Sequence, residues 1–446
     1  MGELTGSGSG TVALVDRANI APHSPVATGV VAKCAEAAML VGLVAVVPRL
    51  LGPADYGLFA LALSLVTISS AAVSVGASPM LARFVPAANV SERKAVARTL
   101  GAGLARRRAL ITALAVVAAG TLAAIFPGTF PRLATALVAL AVVLDVAATL
   151  CFQLALGLGR YRVWSFRYPV QNGVLTGAAV VLASVWGGTG AVAAITLASA
   201  AAFVMGAVAG ALPLRGSGAR SAAPAGAVQF GRYHAIGGFL LMIAHRGGVV
   251  VVAIFAGARE TGYAGLASGV GLAALYAVHQ IFLLQLAALS ERADEDVAAA
   301  ERHARRLATQ ALVLLGAAAI GGAVALDTGL SAVFGEQFAA ARTAFIPILV
   351  LLPLIPLATL GAQIASLRLR PKAVARASAA GLVTFLVTAP VVAAAWGAPG
   401  APASLLATTL GFLTVLSFSL GGFAERRLYL AAGSCSLAAL AIALVA

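Results

Sequence analysis

Apolar residues in this chain fall in long runs, separated by short polar or glycine-rich connections. Many runs approach the ~20 residues a helix needs to cross ~30 Å of hydrocarbon. The period-two alternation of an outer-membrane strand is absent. The pattern predicts helices near residues 28–50, 57–81, 108–126, 132–156, 167–187 and 190–212. A second set follows near 233–256, 262–289, 307–327, 342–367, 373–396 and 400–423. The last run, Leu428 to Ala446, either makes a thirteenth crossing or lies against the membrane. Met1 to Ala27 is polar, lacks a basic-then-apolar signal arrangement and reads as a disordered cytoplasmic tail; residues 213–232 read as a cytoplasmic linker.

The two sets repeat each other. Leu51-Gly-Pro-Ala-Asp-Tyr-Gly-Leu58 follows the first run and Ala256-Gly-Ala-Arg-Glu-Thr-Gly-Tyr263 follows the seventh, so that Gly52 and Gly57 match Gly257 and Gly262 at an offset of 205. Phe126-Pro-Gly-Thr-Phe130 corresponds to Phe334-Gly-Glu-Gln-Phe338, and Gly188-Thr-Gly190 to Gly397-Ala-Pro-Gly400. Six helices return a chain to its starting side, so the units share one topology. The expected fold is an all-α polytopic membrane protein. Its two six-helix lobes, 28–212 and 233–423, are related by a pseudo-two-fold along the membrane normal, with a substrate site between them.

Composition supports a membrane protein: 61% of the 446 residues are hydrophobic, only 10% are charged, and mean hydropathy is +1.00. The +15 net charge does not indicate nucleic-acid binding, because the basic residues sit between apolar runs. Arg49, Arg132, Arg259 and Arg342 fall on one side and Arg246 lies within a run; the other 25 of 30 basic residues fall on the opposite side. That asymmetry predicts a cytoplasmic N-terminus in a bacterial inner membrane. Cys34, Cys151 and Cys435 lie in apolar runs without metal or redox spacing. Lys33, Lys94 and Lys372 are each followed by Cys or Ala, which excludes a P-loop. No cofactor, metal site or soluble domain of enzymatic size is expected.

The string from Arg49 through Leu50-Leu-Gly-Pro-Ala-Asp-Tyr-Gly-Leu-Phe, running on to Ala82-Arg-Phe-Val-Pro86, resembles the opening of polysaccharide-transporter flippases of the multidrug/oligosaccharidyl-lipid/polysaccharide exporter superfamily. Phe334-Gly-Glu-Gln-Phe338, Ile346 to Leu367 and Arg370-Pro-Lys resemble that family's tenth helix and following loop. The resemblance covers most of 28–423. It implies two lobes in a V around a central cavity, rocking between inward- and outward-open states, with a polyprenyl-diphosphate-linked oligosaccharide as cargo. The family often carries an Asp near the position of Gly247-Gly248, and its absence puts ion coupling in question.

Ionisable groups at membrane depth are costly and usually face a bundle interior or a watery cavity. Arg246, with His245, stands mid-run; its guanidinium suits a diphosphate, and a salt bridge or snorkelling is the alternative. Arg49 marks an outer gate or an interface anchor. His279 and Gln280 offer contacts to sugar hydroxyls or a site for a proton. Asp145 reads as an ion-coupling carboxylate or as the structural partner of an Arg or Gln, and Lys33 with Glu36 as a local pair or an inner gate. The expected partners are lipid-linked oligosaccharide, membrane lipids and polysaccharide-assembly proteins, with the chain a monomer. The competing functions are an ion-coupled multidrug-type exporter, a membrane-embedded glycosyltransferase, and a transport-inactive scaffold of an envelope-synthesis complex.

Overall fold

The computed structural model describes residues 25–74, 80–81, 84–85, 88, 91–125, 131–210, 227–295, 297–368 and 370–445. Most of the predicted tail and linker lies outside them. Every element among these residues is helical. The N-terminal lobe holds α1 (Pro25–Leu50), α2 (Pro53–Ser74), α3 (Arg93–Ile125), α4 (Arg132–Gly157) and α5 (Arg167–Gly210). The C-terminal lobe holds α6 (Ala227–Glu295), α7 (Val297–Val324), α8 (Leu326–Phe334), α9 (Arg342–Leu351), α10 (Ile355–Leu367), α11 (Pro371–Trp396) and α12 (Gly400–Leu420). A last helix, α13 (Arg426–Val445), packs on α7 and α9.

Nine helical stretches among the described residues are long and apolar enough to cross a membrane. Two of them, Arg162–Ala209 and Ile236–His279, run for 48 and 44 residues, about twice what one crossing needs. Each is broken at a single glycine in the positive-φ region, Gly187 at 57° in α5 and Gly257 at 81° in α6. A side chain in that region costs ~1–2 kcal/mol, so glycine lets the chain turn back with almost no loop. Another crossing is split: Pro353 and Pro356 separate α9 from α10 through a short 3-10 turn.

The structure moves one predicted boundary substantially. A crossing is expected from residue 108, yet α3 begins at Arg93. Val96, Ala97, Leu100 and Leu104 form a helical stripe buried with Leu150 and Leu154 of α4. Hydropathy finds the membrane-crossing part, while this extension is held by one apolar face among arginines. Likewise α7 starts at Val297, ten residues before its predicted crossing.

Candidate functional site

The lobes meet where α2 crosses the second half of α6, at the end of the bundle away from most basic residues. The repeated glycines make this contact. A Cβ on Gly57 would lie 2.1 Å from the Ala258 carbonyl oxygen, and one on Gly262 would lie 1.8 Å from the Pro53 carbonyl oxygen. Pro53 and Ala258 are themselves separated by the repeat offset, so the contact is reciprocal. Gly265 admits its counterpart Ala60 in the same way. Small residues allow helix backbones to approach closely where lipid offers no hydrophobic drive.

Polar and aromatic groups complete the seal. Phe338 is fully buried and stacks edge-on against Tyr56 and Tyr263, at 5.7 and 5.9 Å between ring centres. Gln337 Nε2 donates to the Pro48 and Leu51 carbonyls, both at 3.0 Å. Arg49 donates from Nε to the Val333 carbonyl at 2.7 Å and from Nη2 to that of Ala332. Those carbonyls end α8, where the helix dipole is negative and a cation is favoured. Arg49 therefore bridges α1 to the C-terminal lobe and does not stand beside Arg246.

Sequence reasoning missed a second repeated device. Asp55 of α2 sets its carboxylate against Gly187 and Gly188. Glu260, its counterpart at the same offset, accepts a hydrogen bond from the Ala398 N–H at 2.9 Å and lies against Gly397. Each acid thus sits at the start of its lobe's sixth crossing, where unsatisfied N–H groups favour negative charge. The matched acids in Gly-Pro-Ala-Asp and Gly-Ala-Arg-Glu were the available signal.

Below the seal, the first half of α6 presents Met242, His245, Arg246 and Val249 as one stripe. The Tyr276 hydroxyl reaches Met242 Sδ at 3.7 Å, and Val249 lies beside Gly265. His245 is within electrostatic reach of Arg246 and His279, and Arg246 of Tyr56 in the opposite lobe. Of the predicted residues, His245 is within electrostatic reach of His279, while Arg246 is directed toward the opposite lobe. Eleven residues separate Arg246 from the Gly257 kink, placing it about 16 Å below the seal at ~1.5 Å per residue. Its Nε is buried and has no hydrogen-bond partner among the described residues. The neighbouring glycines face elsewhere: a Cβ on Gly247 would lie 2.8 Å from the Phe385 ring, and one on Gly248 3.0 Å from Ala401 Cα. Helix packing fills the space an acidic side chain would need here.

Asp145 is not part of that group. It is 7% exposed inside the N-terminal lobe, where it accepts hydrogen bonds from Arg167 Nη2 at 3.3 Å and Gln171 Nε2 at 2.9 Å. Arg167 also donates to Thr149 Oγ1 at 2.7 Å and stacks over Phe152 and Tyr168. Arg108 Nη2 donates to Gln153 Oε1 at 2.5 Å. Asp145 is thus hydrogen-bonded by both an Arg and a Gln within one lobe. Glu36 is half-buried on α1 and has an interaction partner. The side chains of Lys33 and Gln280 lie outside the described part of the structure. No group of His, Cys, Asp and Glu able to hold a metal occurs among the described residues.

The profile of the polysaccharide biosynthesis protein family matches residues 46–343. Among solved structures, the chain is similar to the lipid II flippase MurJ in an inward closed conformation, with a TM-score of 0.67 and 11% identity over 94% of this chain and 91% of that one. It is also similar to an inward-facing multidrug resistance MATE family transporter of the MOP superfamily, with a TM-score of 0.56 and 14% identity over 89% of this chain and 94% of that one. A MOP superfamily transporter from Pyrococcus furiosus, described as having a binding pocket of reversed polarity, matches with a TM-score of 0.50 and 13% identity over 92% and 94%. A comparison with curated protein sequences finds no match. The chain belongs to the polysaccharide biosynthesis protein family and is a multi-pass membrane protein whose fold is similar to those of the flippase and multidrug transporters above.

Proposed function

We propose that this protein is a flippase carrying a polyprenyl-diphosphate-linked oligosaccharide from the cytoplasmic to the outer leaflet of a bacterial inner membrane, for surface polysaccharide synthesis. The observation that carries the reading is Arg246, a permanent cation inside an apolar helix about 16 Å below the inter-lobe contact, with a buried donor left over. A diphosphate supplies the charge and acceptors it lacks, and a guanidinium can bind phosphate oxygens in pairs. His245 precedes it on the helix, and His279 lies within electrostatic reach of His245, offering contacts to the sugars. A carrier of cationic drugs needs free carboxylates, and Asp145 is already engaged by Arg167 and Gln171. Family membership and a lipid II flippase among the fold neighbours agree with this reading.

In this mechanism the basic end faces the cytoplasm and admits the cargo, while the Gly57–Gly262 crossing, Arg49 and Gln337 close the far end. Rocking of the lobes parts that crossing and releases the cargo outward. The test is to delete the gene in its host and measure which leaflet holds the lipid-linked oligosaccharide, using an impermeant sugar-modifying enzyme on sealed oriented vesicles. Wild type restores outward movement, and Arg246→Ala restores it at least about tenfold more slowly, the loss expected for a charge-assisted hydrogen bond. An unchanged leaflet distribution in the deletion strain refutes the reading.

A further inference from the structure

A second basic site lies away from the seam, within the C-terminal lobe. Between α7 and α13, at the basic end of the bundle, a cleft of about 550 Å³ is bounded by two facing helical stripes. Arg302, Arg306, Thr309 and Val313 line one wall; Leu428, Ala431 and Cys435 line the other. The helices close together beneath it, where Gly316 admits Cys435: a Cβ there would lie 3.0 Å from the Cys435 Sγ. From Arg306 to Val313 the wall descends ~10 Å at 1.5 Å per residue.

Polarity changes sharply along that descent. Arg302, Arg305, Arg306 and Arg427 stand at the rim with Glu425 as the acid that lines it. Arg305 is already fixed, donating to Glu301 at 2.9 Å and to the Phe423 carbonyl at 3.3 Å. Glu301 is shared with Arg368 through bonds of 2.5 and 2.9 Å. Arg306 and Arg427 are exposed on opposite sides of the opening. The floor is apolar. A charged rim over an apolar floor, running along the direction in which the helices cross the membrane, matches one anionic headgroup above its acyl chain.

We propose that this cleft binds an anionic phospholipid, with its phosphate between Arg306 and Arg427 and one acyl chain along Val313, Ala431 and Cys435. The bound lipid mortars α13 onto the lobe. A single lobe builds the site, so cargo passing between the lobes does not cross it, and the proposal does not rest on the flippase reading. Two basic residues close to an anionic surface account for roughly a thirtyfold preference.

The test uses the full chain with Cys34→Ala and Cys151→Ala, leaving Cys435 as the reporter. Its alkylation is followed in detergent with phosphatidylglycerol, phosphatidylethanolamine, polyprenyl diphosphate or inorganic phosphate added. Phosphatidylglycerol slows alkylation at concentrations where phosphatidylethanolamine does not. Arg306→Gln with Arg427→Gln weakens that protection roughly thirtyfold, whereas Arg306→Lys with Arg427→Lys keeps most of it. Native mass spectrometry of the unsubstituted chain, which needs no variant to fold, shows phosphatidylglycerol retained in preference to phosphatidylethanolamine. Equal protection by both phospholipids overturns the proposal. So does stronger protection by polyprenyl diphosphate, or protection by inorganic phosphate alone.

Discussion

In the N-terminal lobe, Asp145, Arg108 and Arg167 are buried within the bundle and hydrogen-bonded to neighbouring side chains. In the C-terminal lobe, Glu301, Arg305 and Arg368 pair at the basic end, and Arg246 stands at depth with its Nε unpartnered. A buried pair contributes little net energy when intact and costs much when halved, because the remaining charge has no water to return to. A cation in the seam whose Nε has no hydrogen-bond partner among the described residues keeps that donor available to a ligand. The depth of a charge therefore does not reveal its role. Arg167 differs in having an acid, Asp145, within hydrogen-bond reach, although Arg167 Nε lacks a hydrogen-bond partner among the described residues as Arg246 Nε does.

Substitutions can break that contrast, and the largest effect is expected at Asp145. Asp145→Ala leaves Arg167 buried without its acid and costs about 3–5 kcal/mol, seen as a fall in Tm in detergent. Asp145→Leu with Arg167→Leu recovers most of it. Failure of the double variant to recover, with transport lost selectively, would return Asp145 to ion coupling. Arg246→Ala sharpens the comparison from the other side: transport falls at least about tenfold while Tm stays level or rises.

At the rim, Glu301→Gln costs about 1–2 kcal/mol, because Arg305 and Arg368 are part-exposed and water takes over some of their hydrogen bonds. The Glu301 bond also holds the Arg368 guanidinium above its ordinary pKa, a shift that Glu301→Gln removes. The penalty should shrink in high salt, unlike that at Asp145. The smallest effect is expected at Glu260→Ala, which removes a helix-start acceptor worth about 1 kcal/mol and is checked by hydrogen exchange at Ala398.

Crossings and the repeat were legible because both depend on order along the chain. Gly57 and Gly262 stood out as repeat markers, yet their reason, contact with the other lobe's backbone, appears only when the lobes are placed together. Asp145 was picked out by its depth, while Arg167 was counted as a marker of membrane side. Nothing in a spacing of 22 residues tells which face of the next helix a side chain takes. The start of α3 was lost for a related reason, since a stripe of Val96, Leu100 and Leu104 among arginines barely raises hydropathy. Arg246 remained visible because a lone cation inside an apolar run needs no partner to be noticed.

The crossing of Gly57 with Ala258 and of Gly262 with Pro53 is an isologous contact written within one polypeptide. Each half offers the other the same surface, as two copies of a six-helix unit would when forming a closed dimer. Fusion of such copies preserves the docking face and frees everything else to diverge, including which half buries its charges and which leaves one for cargo.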